Sequence, residues 1–170
     1  ADVYACGVHA IHRVSDRAWR RVVIVGSGAV AFCLGQLLRA WGAECVMLVT
    51  RRAQVAEQAR AAGAADVTLV STLPEELGAS VRELTGGAGA DLVFETVGGN
   101  GAALELALAA AAPRAAIVVL GAFWDDLRLR YALANRKEID LRFSNSYGAW
   151  NEIREISIAI DELAKGRVQS

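Results

Sequence analysis

Short, mostly apolar runs alternate along this chain with longer stretches in which apolar positions recur every three to four residues. The short runs fall at 21–25, 45–49, 67–70, 92–94, 117–120 and 139–143. Runs that are apolar throughout, without polar alternation, are buried on both faces, as in a parallel sheet. Helical periodicity marks 29–41, 54–62, 73–85, 101–112 and 131–137, with an opening helix at 3–14 and a last amphipathic helix from about 150 to 165. Strand–helix alternation gives right-handed βαβ units. The pattern therefore predicts an α/β fold, a doubly wound six-stranded parallel sheet with helices on both faces. The strand at 139–143 comes last and is expected at an edge, which a homo-oligomer would cover.

Composition changes this picture little but excludes several function classes. Hydrophobic residues make up 54% of the 170, and much of that excess is alanine between 102 and 116, which suits close helix-on-sheet packing. No apolar run reaches the roughly 18 to 20 residues of a membrane span. Eighteen basic side chains stand against 19 acidic ones, a balance unsuited to binding nucleic acid through its phosphates. Cys6, Cys33 and Cys45 form no CxxC pair, so they read as isolated thiols of a reducing, cytoplasmic compartment. The chain opens without Met and runs directly into an apolar helical pattern. Residues 1–170 are read as one domain of a longer polypeptide, with 1–18 entering from a preceding catalytic domain.

The run at 21–25 leads straight into Gly26-Ser27-Gly28-Ala29-Val30-Ala31 and then a helix. GxGxxG/A is a weak pattern in isolation and a strong one between a first strand and a helix. Gly26 permits a tight turn, Gly28 lets a pyrophosphate approach the backbone, and Ala31 is small enough for the helix to pack on the strand. The helix start offers free N–H groups and partial positive charge to phosphates. This is the signature of a Rossmann dinucleotide-binding domain.

About 20 residues on, a domain selective for NAD places an acid at the end of its second strand, against the ribose 2′-hydroxyl. Here that strand ends Thr50-Arg51-Arg52, and the nearby acid, Glu44, stands at its beginning. Two guanidiniums favour a 2′-phosphate through charge-assisted hydrogen bonds. NADP is therefore the expected cofactor, with NAD the alternative.

With these pieces, the segment Gly89-Ala90-Asp91-Leu92-Val93-Phe94-Glu95-Thr96-Val97-Gly98, the run Val118-Val119-Leu120-Gly121 and the tail at 160–168, the whole chain resembles the cofactor domain of the medium-chain, zinc-type alcohol and polyol dehydrogenases. The resemblance implies hydride transfer between NADP(H) and an alcohol, a polyol or its carbonyl, with zinc in the full-length protein. It implies that Thr96, Val97 and Gly98 lie beside the nicotinamide ribose and that Leu120, Gly121 and Ala122 approach the nicotinamide amide. Asn145 and Ser146, with Tyr147, match a further segment that touches cofactor. Asp2 matches an acid at or near the catalytic zinc. One departure is Pro113-Arg114-Ala115-Ala116, where the family carries paired glycines.

A catalytic zinc takes three protein ligands and keeps one open position. Asp2 supplies at most one, so the others are expected outside this chain. His9 and His12 share a helix face with no evident carboxylate to orient them, and read as structural. Asp125 and Asp126 are adjacent and point apart, as a solvated loop would have them, and Glu95 is near the crevice but is not assigned as a base. No catalytic residue is assigned, and the domain is expected to bind cofactor but to be inactive alone. Two other readings stay open, a zinc-free enone or quinone reductase and a non-catalytic nucleotide-sensing domain. A short-chain dehydrogenase is disfavoured because no Tyr-x-x-x-Lys occurs.

Overall fold

β1 (Arg21–Val25) sits in the middle of a six-stranded sheet, flanked by β2 (Cys45–Thr50) and β4 (Ala90–Glu95). β3 (Val67–Val70) forms one edge beyond β2, while β5 (Ala111–Val119) and β6 (Asp140–Phe143) extend the other side, giving the order β3-β2-β1-β4-β5-β6 with every pairing parallel. The structure, a computed structural model, describes residues 1–124 and 126–169. The strand order reverses between β1 and β4, so a crevice opens there at the carboxyl ends of the strands.

Successive strand residues point to opposite faces, and both faces are covered. Val22, Ile24, Leu48 and Phe94 pack with Val8, Leu34 and Ala159 from α1 (Asp2–His12), α2 (Ala29–Ala40) and α7 (Glu155–Ala164). Val23, Val25, Met47 and Ile117 pack with Leu77, Val81 and Ala107 from α4 (Pro74–Leu84) and α5 (Ala102–Ala110). α3 (Ala53–Ala61) follows β2, and α6 (Tyr131–Lys137) precedes β6. All of these strand side chains are at most 2% exposed, which explains why the runs carry no polar alternation. Among the described residues no helix is long and apolar enough to cross a membrane.

The largest departures from the sequence expectation lie at the α5–β5 junction and before the last helix. α5 ends at Ala110, and Ala111 already belongs to β5, because an alanine run satisfies either state and pairing with β4 decides it. Within β5 the register jumps from Ala90↔Ala111 to Leu92↔Ala116, and Arg114 adopts φ +62° inside the resulting bulge. This is the place where the resembled family carries glycines. The last helix starts at Glu155 instead of about 150. Ala149–Trp150 (β7) and Ile153–Arg154 (β8) pair antiparallel across Asn151 and Glu152, at φ +47° and +67°. A two-residue turn with both residues left-handed matches the twist of a hairpin and cannot continue into a helix. Asp125 lies outside the described residues, and Asp126 is exposed.

Candidate cofactor-binding site

The chain leaves β1 through Gly26 at φ +127°, and its N–H donates to the Val49 carbonyl at 3.0 Å. A Cβ there would stand 2.2 Å from Thr96 Oγ1, so the turn requires glycine on both counts. Gly28 is the N-cap of α2, and no side chain caps that helix. Among the described residues, apart from Gly28 and its two chain neighbours, no atom lies within 4 Å of where a Gly28 Cβ would be. The first amides of α2, beginning at Ala29 and Val30, thus face open space with no intrahelical partner. Free N–H groups, the positive end of the helix dipole and room for backbone contact fit a pyrophosphate. A hollow of about 430 Å³ adjoins the loop, lined by Ser27, Gly28, Ala29, Phe32 and Gln36 among others.

β2 delivers Thr50 to the same place. Thr50 is buried, donates from Oγ1 to Ser27 Oγ at 3.0 Å, and accepts the Arg52 N–H at 3.3 Å. Arg51 and Arg52 are exposed, and neither belongs to an ion pair among the described residues. Glu44 precedes β2 at its opposite end. The two guanidiniums are therefore unneutralised at the edge of the phosphate loop.

The ends of β4 and β5 close the crevice from the other side. Thr96 Oγ1 donates to the Val25 carbonyl at 2.9 Å, which fixes it against the phosphate loop, and the Val97 side chain is half exposed beside it. The Leu120 and Gly121 N–H groups donate to the Glu95 carbonyl at 2.8 and 3.2 Å, and the Gly99 N–H donates to the Ala122 carbonyl at 2.9 Å. Gly26, Ser27, Thr50, Thr96, Gly98, Gly121 and Ala122 are thus joined into one connected set. Asn145 and Ser146 follow β6, which the Ser144 N–H anchors to the Val119 carbonyl. Both are exposed, and no hydrogen bond among the described residues links them to that set. Glu95, left unassigned by sequence reasoning, is fully buried at the centre of the β4–β5 end. An acid closing an otherwise apolar strand is the signal that marks it.

Asp2 lies in the first turn of α1 and accepts a 2.6 Å hydrogen bond from Tyr147 Oη. Among the described residues no group of three or more His, Cys, Asp or Glu side chains is placed to hold a metal. The donor set present here does not fit a zinc ion by itself. The expectation that His9 and His12 lack a carboxylate is corrected by the fold. Both Nδ1 atoms lie against Glu155, at 2.9 and 2.8 Å, and the Gly148 N–H donates to the same carboxylate at 2.7 Å. His12 also stacks on Trp150 at 4.9 Å. Burial pushes the Glu155 carboxyl up, and its three donors more than reverse this, leaving it below the usual range. The histidines tie α1 to α7 and take no part in the crevice.

Residues 29–164 match the family model described as zinc-binding dehydrogenase. The chain belongs to this family. An L-idonate 5-dehydrogenase of Vitis vinifera is 28% identical over 147 residues, covering 83% of this chain and 40% of its own length. A D-arabitol-phosphate dehydrogenase of Enterococcus avium is 33% identical over 100 residues, 58% of this chain and 28% of the relative. The galactitol-1-phosphate dehydrogenase structure from Escherichia coli superposes with a TM-score of 0.86 at 24% identity, over 99% of this chain and 49% of that one. The chain thus spans about half or less of the length of these relatives.

Proposed function

We propose that this chain is the NADP(H)-binding domain of a zinc-type dehydrogenase that moves hydride between the cofactor and an alcohol, a polyol or the corresponding carbonyl. The observation that carries this reading is the convergence of an uncapped helix start, three strand ends and two unpaired guanidiniums on one crevice. The α2 amides and Gly28 hold the pyrophosphate, Thr50 sets the base of the adenosine side, and Arg51 and Arg52 take the 2′-phosphate. Thr96, Val97 and Gly98 with Leu120, Gly121 and Ala122 support the nicotinamide half, and Asn145 and Ser146 border it. The hydride chemistry belongs to the bound nicotinamide.

Groups that polarise the substrate oxygen belong to a catalytic domain entering through residues 1–18, where Asp2 would supply at most one donor to a zinc. The relatives, an aldonate and two sugar-alcohol phosphate dehydrogenases, favour a polyhydroxylated substrate. β6 is a sheet edge, and Phe143 on it is 65% exposed, so a second copy pairing there gives a homo-oligomer.

The test is a titration of the chain with NADPH and with NADH, read by nicotinamide fluorescence. NADPH is expected to bind at least tenfold tighter, and Arg51→Ala with Arg52→Ala to erase that preference while leaving NADH affinity unchanged. Equal affinity for the two cofactors in the parent overturns the assignment of NADP.

A further inference from the structure

β4 is apolar until its last residue, and that residue is Glu95, with none of its surface exposed. Burying a carboxylate is costly unless hydrogen bonds replace water. Glu95 Oε1 accepts two, from the Val97 N–H at 2.7 Å and the Gly98 N–H at 2.8 Å. Its Oε2 is buried with no hydrogen-bond partner among the described residues. That oxygen faces the next loop, where a Cβ on Gly121 would stand 2.5 Å from it and 2.1 Å from the Gly98 nitrogen. In return, a Cβ on Gly98, at φ +71°, would stand 2.2 Å from the Ala122 oxygen. The two loops meet backbone to backbone at these glycines, with the Glu95 carboxylate lodged beside the contact. A hydrophobic residue at 95 would fill the same space without aligning either amide.

We propose that Glu95 is a positioning residue that sets the shape and spacing of the loops after β4 and β5, and through them the nicotinamide half of the crevice. The inference rests on the dinucleotide reading above. A dinucleotide lies across the point where strand order reverses. With its phosphates at α2 and its adenosine at the end of β2, the other half falls on the ends of β4 and β5. β1 stands between Glu95 and the end of β2, so its loss acts first on the nicotinamide half of the ligand.

The experiment compares parent, Glu95→Gln and Glu95→Ala for binding of NADPH and of 2′,5′-ADP, which carries the adenosine half alone, with thermal melts of each protein. Losing an acceptor for two buried amides is expected to weaken NADPH roughly tenfold or more in Glu95→Ala. The affinity for 2′,5′-ADP is expected to stay within about twofold of the parent. Glu95→Gln keeps the accepting oxygen and is expected to recover most of the loss. Gly121→Ala, which drives a methyl against Oε2 and the Gly98 amide, gives the same split and serves if Glu95→Ala does not fold. A parent that binds neither ligand overturns the dinucleotide reading and this inference with it. A parent that binds both, with variants that weaken both equally or neither, overturns the role of Glu95 alone.

Discussion

Thr50 and Ser27 share a hydrogen bond of 3.0 Å between their hydroxyls, so the end of β2 and the phosphate loop move as one piece. The same Thr50 oxygen accepts the Arg52 N–H, which fixes the backbone from which both guanidiniums extend. Thr50→Val keeps the shape and removes both contacts. It is expected to lower stability by about 1 kcal/mol and to reduce the preference for NADPH over NADH severalfold. Urea unfolding and parallel titrations check this, and an unchanged preference separates Thr50 from cofactor selection.

Gly26→Ala meets two obstacles, a left-handed backbone at φ +127° and a Cβ 2.2 Å from Thr96 Oγ1. A loss of more than about 2 kcal/mol is expected, with NADPH binding abolished in the micromolar range. The double variant Gly26→Ala/Thr96→Ala relieves the contact but not the backbone. Recovery of only part of the stability in that variant is expected, and full recovery shows that the contact alone is responsible.

Glu155 is the common acceptor for His9, His12 and the Gly148 N–H, and its carboxylate is fully buried. Glu155→Ala leaves all three donors without it and is expected to cost about 3 kcal/mol. Cofactor affinity in the folded fraction is expected to stay near the parental value, because the cluster lies between α1 and α7 and approaches the crevice only through Gly148, two residues beyond Ser146. A matching fall in NADPH affinity contradicts that separation.

Acid is expected to unfold the domain in a defined window. Hydrogen bonds from Arg142 draw Asp16 down to about 2 and, with those from Arg17, lower Asp140. The bond from Arg167 lowers Glu162, and Glu155 is lowered by its own donors against the effect of burial. A carboxyl depressed in the folded state contributes its full stability above the unfolded value, near 4, and loses it as pH falls through the folded value. Urea midpoints are therefore expected to be flat from pH 7 to about 5 and to fall steadily toward pH 2. Asp140→Asn shallows that slope, and a flat profile down to pH 3 contradicts the assignment.

Arg114 holds φ +62° without being glycine. A left-handed non-glycine residue costs about 1 kcal/mol, and the extra freedom of glycine in the unfolded chain offsets part of any gain. Arg114→Gly is expected to raise stability by about 0.5 kcal/mol. Arg114→Val lowers it by more than about 1 kcal/mol, since a β-branched side chain tolerates this backbone least. Thermal denaturation of the pair checks the order of the two variants.

What the sequence disclosed were features written locally. The bounds of β1, β3 and α6 follow directly from their apolar runs and helical period, and the GxGxxA loop is legible because glycine is demanded there by its neighbours in sequence. The β7–β8 hairpin was hidden because its turn uses Asn151 and Glu152 in place of glycine, so only the pairing of Trp150 with Ile153 reveals it. Glu155 escaped as the partner of His9 because 146 residues separate them. Glu95 is visible as an acid at a strand end, yet its confinement depends on Gly121, in a loop that sequence alone does not bring near.

The ion pairs of the sheet cluster at the amino ends of its strands. Arg21 meets Asp91, Arg17 meets Asp140, Arg142 bridges Asp16 and Asp140, and Arg39 holds Asp66 just before β3. The buried oxygens of Glu95 and Ser144 that lack partners sit at the carboxyl ends. Endurance and adaptability are thus lodged at opposite rims of one sheet. Charge changes at the first rim register as lost resistance to heat or acid, while changes at the second alter ligand choice along with stability. A lineage built on this plan can retune what it binds while its foundations stay untouched.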